Sequence, residues 1–299
     1  MQQPFYPKNE DIKIYVNGEI LPRNEAKISV FDAVVQGGDA VWEGLRVYQQ
    51  GIMHLDTHVK RMIDSAKALA FDEVPSEEEI KAALIETLKA NGMTTDTHVR
   101  MTLTRGEKYT SSMDPRVHNK GCSLIVLPEW KPIVFDNSKG ITAITSSIRR
   151  NNPQYLDSKI HHNNLLNNIQ AKIQSIVAGV DAALMLDAEG FAAELHDVNI
   201  FVISNEQLFT PFGDACLPGI TRNTVIQLAE ELNIPCKEKR ISTTEIYAAD
   251  GFFATGTMGE LTPITQLDGR NIPNASEHEV FKKLQDAYHA NIERFATPF

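Results

Sequence analysis

Between Lys159 and Pro263 the chain carries four separated elements whose chemistry makes sense only in a fold that gathers them. They are Lys159 in the polar run Ser158-Lys159-Ile160-His161-His162-Asn163-Asn164, the carboxylate Glu194, and two glycine-containing turns. The first turn is Leu217-Pro218-Gly219-Ile220-Thr221-Arg222, and the second is Gly256-Thr257-Met258-Gly259-Glu260-Leu261-Thr262-Pro263. A lysine amine bonds an aldehyde once burial or a neighbouring cation lowers its pKa. A glycine turn that opens a helix presents free N–H groups and a positive dipole end to an anion. A carboxylate beside an aromatic nitrogen keeps that nitrogen protonated. Read singly, these are a surface lysine, a strand-end glutamate and ordinary turns. Read together, they meet the needs of pyridoxal phosphate.

The rest of the chain reads as an α+β protein. Residues 12–16 form a strand closed by an Asn17-Gly18 turn, and residues 41–48 and 52–55 make a hairpin around Gln49-Gln50-Gly51. Residues 58–70 have helical spacing, and Ser76 with Glu79 forms a capping box before a helix at 80–90. Strands follow at 99–104 and 123–127. The proline-containing stretch 129–140 reads as a linker, dividing an N-terminal α/β domain, 1–128, from a strand-rich, barrel-like domain, 141–299. In the second domain a helix is expected at 165–180, another at 221–233, and a closing helix at 276–295 with a capping box at Ser276 and Glu279.

Composition excludes several function classes. A net charge of −10 without a basic run argues against a nucleic-acid partner. Cys122, Cys216 and Cys236 lack the C-x-x-C spacing of a zinc site or redox pair, and fit a reducing cytoplasm. The start of the chain lacks the pattern of a signal peptide, and no apolar run suits a membrane span. His161 and His162 are adjacent, so their side chains diverge, and no metal is expected.

The run from Glu194 to Arg222 resembles the signature of the class IV aminotransferases. That pattern passes from the glutamate through Asn199-Ile200-Phe201 and Leu208-Phe209-Thr210 to Leu217–Arg222. Val41-Trp42-Glu43-Gly44-Leu45-Arg46 and His58-Val59-Lys60-Arg61-Met62 resemble the N-terminal segments of branched-chain aminotransferases, and the turn at Gly256-Thr257 resembles their last phosphate-binding turn. The resemblance implies the pyridoxal phosphate fold type IV. It makes Lys159 the catalytic lysine that bonds the cofactor and Glu194 the partner of its ring nitrogen, with Arg61, Ile220, Thr221 and Thr257 on the phosphate. It also implies a homodimer or a larger assembly of dimers.

Two positions depart from the family pattern: His196 replaces a small residue, and Asn164 stands where branched-chain members commonly have tyrosine. The substrate-binding candidates are Trp42, Arg46, His98, Arg100 and Met258. Arg116 and His118 resemble the Arg-x-His pair of D-amino-acid aminotransferases. Transamination of branched-chain L-amino acids with a 2-oxo acid such as 2-oxoglutarate is the leading reading. D-amino-acid transamination and aminodeoxychorismate lyase chemistry are the alternatives.

Overall fold

The computed structural model describes residues 5–118, 121–133 and 135–299. The fold is α+β, and the chain divides into two compact units. The first unit contains the described residues up to Pro132 together with Ile160–Asn164 and Ile292–Phe299; the second contains the described residues of Ile133–Lys159 and Leu165–Asn291.

The first unit is a seven-stranded antiparallel sheet in the order Ala296–Thr297, Gly51–Met53, Ala40–Tyr48, Thr97–Thr104, Ser123–Trp130, Lys13–Val16, Glu19–Pro22. Alternation along Ala40–Tyr48 turns Val41, Leu45 and Val47 into a core shared with Val99, Met101 and Leu103. Helices Leu55–Ala68 and Glu77–Ala90 contribute Leu55, Val59, Met62, Ile80 and Leu84 to that core. The Ser76–Glu79 capping box is present as the sequence predicts.

The second unit is a nine-stranded mixed sheet. Its path runs Cys236–Glu238, Gln207–Thr210, Asn199–Ser204, Gly251–Gly256, Glu260–Leu267, Ile141–Thr145, Ala182–Leu186, Ala192–Leu195, and Arg270–Asn271 pairs beside Glu260–Leu267. Parallel neighbours need crossovers, and helix Ile220–Glu231 supplies the one between Gln207–Thr210 and Cys236–Glu238. Among the described residues no helix is long and apolar enough to cross a membrane.

Three expectations change. The stretch 129–140 is not wholly a linker, because Glu129 and Trp130 continue a strand, pairing with His98 and Thr97. Residues 160–164 and 292–299, placed by sequence in the second domain, belong to the first unit. The physical reason is backbone pairing: His162 bridges Val41, while Ala296 and Thr297 pair with Met53 and Ile52. The closing helix starts later and is broken. Helix Glu279–Ala290 is capped by His278, whose Nδ1 accepts from the Val280 amide at 3.2 Å, and Asn291 separates it from Ile292–Phe295. Ser276 makes no capping box there; its hydroxyl bonds the Ser138 carbonyl at 3.2 Å.

Gly51 is where the C-terminal strand demands a glycine. Its φ is 134°, and a Cβ there would lie 2.3 Å from the Thr297 carbonyl oxygen. Gly51→Ala is expected to destabilise the protein by more than about 1 kcal/mol, read by denaturant unfolding. Faster amide exchange at Met53 should accompany it, and an unchanged unfolding midpoint would contradict this packing.

Candidate active site

In the second unit the site is organised around Glu194. Strand Ala192–Leu195 is buried throughout, so the carboxylate cannot reach bulk water. Arg150, itself buried, donates from Nε to Oε1 at 2.5 Å, and Asn199 donates from Nδ2 to Oε2 at 3.0 Å. Burial pushes the Glu194 carboxyl up, and the Arg150 guanidinium pulls against that rise. The Asn199 amide also donates to the Leu217 carbonyl at 2.9 Å. It therefore struts the carboxylate against the turn that opens helix Ile220–Glu231.

That turn fits its role for a steric reason. A Cβ on Gly219 would lie 1.8 Å from the Asn199 Oδ1 atom, so a side chain here would expel the strut. No side chain caps the helix, which leaves the first-turn N–H groups of Ile220 and Thr221 to an external acceptor. The terminal Arg222 of the signature is structural: it donates from Nη2 to the Pro211 carbonyl at 2.9 Å and pairs with Glu238.

Thr257 and Met258 occupy the hairpin turn between Gly251–Gly256 and Glu260–Leu267, where Gly256 pairs with Glu260. A Cβ on Gly256 would meet Val198 Cγ1 at 2.4 Å. Two residues before the turn, the buried Thr255 hydroxyl has no hydrogen-bond partner among the described residues. Lys159 is exposed, and its Nζ lies 3.1 Å from Asp157 Oδ1. The two departures from the family pattern are absorbed locally. The His196 amide donates to the Ala183 carbonyl and its own carbonyl accepts from Asn168 Nδ2 at 2.6 Å, while Asn164 donates from Nδ2 to the Gly38 carbonyl at 2.9 Å.

In the first unit Arg61 is held by a carboxylate that the sequence reading did not single out. Glu43 is fully buried on the core face of Ala40–Tyr48, between Val41 and Leu45. It accepts from Arg61 Nε at 2.7 Å and Nη2 at 2.7 Å, and contacts His58 Nδ1 at 2.6 Å and His161 Nδ1 at 3.1 Å. Burial would raise this carboxyl; His161 and Arg61 overcome that and hold it well below the usual range. The signal that could have found it was a glutamate at an apolar position of an alternating strand.

Trp42, Arg46, His98 and Arg100, four of the candidate substrate residues, sit on the opposite face of the same sheet. Gly44 pairs with Arg100 and Arg46 with His98 across adjacent strands. The Arg100 guanidinium lies 3.9 Å from the centre of the Trp42 ring, and among the described residues it has no ion pair. Arg46 is engaged elsewhere, donating to the Lys131 carbonyl at 2.8 Å. Burial, with Lys131 and Arg100 assisting, lowers the His98 imidazole to about 3, so it is neutral. Arg116 and His118 stand apart from this group. Arg116 is bound by Asp114 at 2.5 Å on an exposed loop, and His118 Nε2 lies 3.9 Å from Asp72.

Residues 40–267 match the family model for amino-transferase class IV. The chain belongs to the class IV aminotransferase family. It is 53% identical over 282 residues to branched-chain-amino-acid aminotransferase-like protein 2 of Arabidopsis thaliana, a match spanning 94% of this chain and 50% of that protein. The chain thus spans about half the length of the first curated relatives it matches. Among solved structures, the branched-chain aminotransferase of Thermoproteus uzoniensis with norvaline superposes with TM-score 0.88 at 32% identity, covering 95% of each chain. The branched-chain amino acid aminotransferase of Thermobaculum terrenum in PLP-form gives TM-score 0.84 at 26% identity, covering 96% of this chain and 95% of that one.

In this class IV chain the histidine beside Glu43 sets a pH dependence. Burial lowers the His161 imidazole from 6.5 to about 4, with Glu43 opposing. The unfolded chain binds a proton near pH 6.5 that the folded chain refuses until about pH 4, so acidification across that window favours unfolding. The melting temperature should fall over that range, and His161→Gln should show a shallower fall. Identical slopes would contradict the burial of a neutral ring.

Proposed function

We propose that the chain is a pyridoxal phosphate-dependent aminotransferase moving an amino group between branched-chain L-amino acids and a 2-oxo acid such as 2-oxoglutarate. The observation that carries this reading is the buried Glu194 carboxylate, braced on both oxygens and strutted to an uncapped helix start. A pyridine nitrogen and a phosphate are the groups such a pair accommodates. Gly219 and Gly256 keep side chains out of both turns, and the unpartnered Thr255 hydroxyl adds a polar group nearby.

The cofactor, when bound, supplies an aldehyde for the amino group and a protonated ring that accepts negative charge from the substrate α carbon. Lys159 Nζ is the atom that would hold it. The same amine is the group that would take the substrate α proton as base and return a proton as acid. Glu194 would keep the proton on the ring nitrogen. The Ile220 and Thr221 amides and the Thr257 hydroxyl would hold the phosphate, to which Arg61 would add a full positive charge. Arg100, which lies above Trp42 and has no ion pair among the described residues, is the group proposed for a substrate carboxylate, and neutral His98 and Met258 are further proposed substrate residues.

The L-amino-acid reading is favoured over the D-amino-acid one because Asp114 already engages Arg116. Separate incubations of L-leucine and D-alanine with 2-oxoglutarate test it. Ketoisocaproate from L-leucine is expected, while exclusive turnover of D-alanine would overturn it. Pyruvate released from aminodeoxychorismate without an amino acceptor would indicate the lyase instead. Lys159→Ala should lower turnover by at least about 100-fold, and an unchanged rate would remove Lys159 from the mechanism.

A homodimer is also proposed. Helix Leu166–Val177 exposes Leu166, Ile169, Ile173, Ile176 and Val177, four of them along one face at three- and four-residue spacing. An apolar stripe of this kind marks a contact surface. Light scattering should give twice the chain mass, and Ile169→Asp with Ile173→Asp should shift it toward the monomer. A monomeric parent protein would refute the assignment.

A further inference from the structure

We infer that Glu43 is a positioning residue: one carboxylate that aims the Arg61 guanidinium and anchors the segment immediately following Lys159. The inference rests on the assignment of Arg61 to the cofactor phosphate proposed above, and deepens it.

The geometry is saturated. Oε1 takes Arg61 Nε at 2.7 Å and His161 Nδ1 at 3.1 Å, and Oε2 takes Arg61 Nη2 at 2.7 Å and His58 Nδ1 at 2.6 Å. An ionised carboxylate has no proton to give, so both imidazoles must donate from Nδ1. Each Nε2 is then an acceptor. The paired bonds from Nε and Nη2 fix the plane of the guanidinium, which a single bond would leave free to swing.

The same carboxylate reaches the segment that carries the chain away from Lys159. His161 is two residues beyond the lysine, and its amide also donates to the Ser65 hydroxyl at 3.2 Å. Its carbonyl accepts from the Trp42 amide at 2.9 Å, and the Asn163 amide donates to the Ala40 carbonyl at 2.8 Å. Residues 160–164 are therefore laid along the strand that bears Glu43. His58, Arg61 and Ser65 follow one another along one face of helix Leu55–Ala68 and close the cluster from the other side.

Stability alone does not explain the arrangement. Replacing a buried ion-pair cluster by apolar residues of similar volume is often neutral or stabilising. Val41, Leu45 and Val47 show that this strand face readily holds such residues. What an apolar residue cannot do is fix the direction of Arg61.

The test combines binding with a measurement on the unaltered protein. Apo-protein is titrated with pyridoxal phosphate for the parent, Glu43→Gln, Arg61→Gln and the double variant. Glu43→Gln and Arg61→Gln should each weaken binding by about tenfold or more, and the double variant should lose less than the two single losses combined. Additive losses, or tighter binding by Glu43→Gln, would overturn the inference. Unchanged binding by Arg61→Gln would overturn the phosphate assignment and the inference with it. Nitrogen-15 NMR of the parent protein gives an answer even where a variant does not fold. His161 and His58 should both be in the Nδ1–H form, and an Nε2–H form of either would show that Glu43 does not hold them.

Discussion

Two carboxylates removed from water, Glu43 in one unit and Glu194 in the other, impose conditions that the surrounding residues exist to meet. A buried carboxylate is tolerable only when donors satisfy it on nearly every side. Glu43 recruits a guanidinium and two imidazoles; Glu194 recruits a guanidinium and an amide. Satisfying these atoms ties down helix Leu55–Ala68 and residues 160–164 in the first unit, and the turn at Leu217–Gly219 in the second. The polar groups assigned to cofactor chemistry are positioned by these obligations.

A clear division of labour follows within the family signature. Asn199, Thr210 and Arg222 turn out to be internal fittings: Asn199 struts Glu194 to Leu217, the Thr210 hydroxyl donates to the Ile200 carbonyl at 2.8 Å, and Arg222 ties Pro211 to Glu238. Glu194, Ile220 and Thr221 are the residues proposed to face the cofactor. A sequence pattern of fixed residues therefore mixes groups that act with groups that hold them.

Local features were legible in the sequence because their causes are local. The Asn17-Gly18 hairpin, the Ser76–Glu79 box and the helix opening at Ile220 all depend on residues within a few positions of one another. Ser276 and Glu279 carry the same local signal but form no capping box, because the Ser138 carbonyl, 138 residues away, captures the serine. Arg150 escaped notice since its partner lies 44 residues along the chain. The returns of residues 160–164 and 292–299 to the first unit depend on backbone pairing with distant strands, for which no side-chain pattern exists. Short helices Ala33–Gly37 and Thr243–Tyr247 are too brief for periodicity to register, although the second is opened by a Ser242–Glu245 capping box, the same local signal as Ser76–Glu79.

The account stands or falls on one covalent attachment. Borohydride reduction of the protein incubated with pyridoxal phosphate, followed by peptide mapping, reads it directly. The account predicts that the phosphopyridoxyl group is found on Lys159, with the other lysines unlabelled under limiting reagent. A label distributed over surface lysines with Lys159 unmodified, or no label at all, would contradict it.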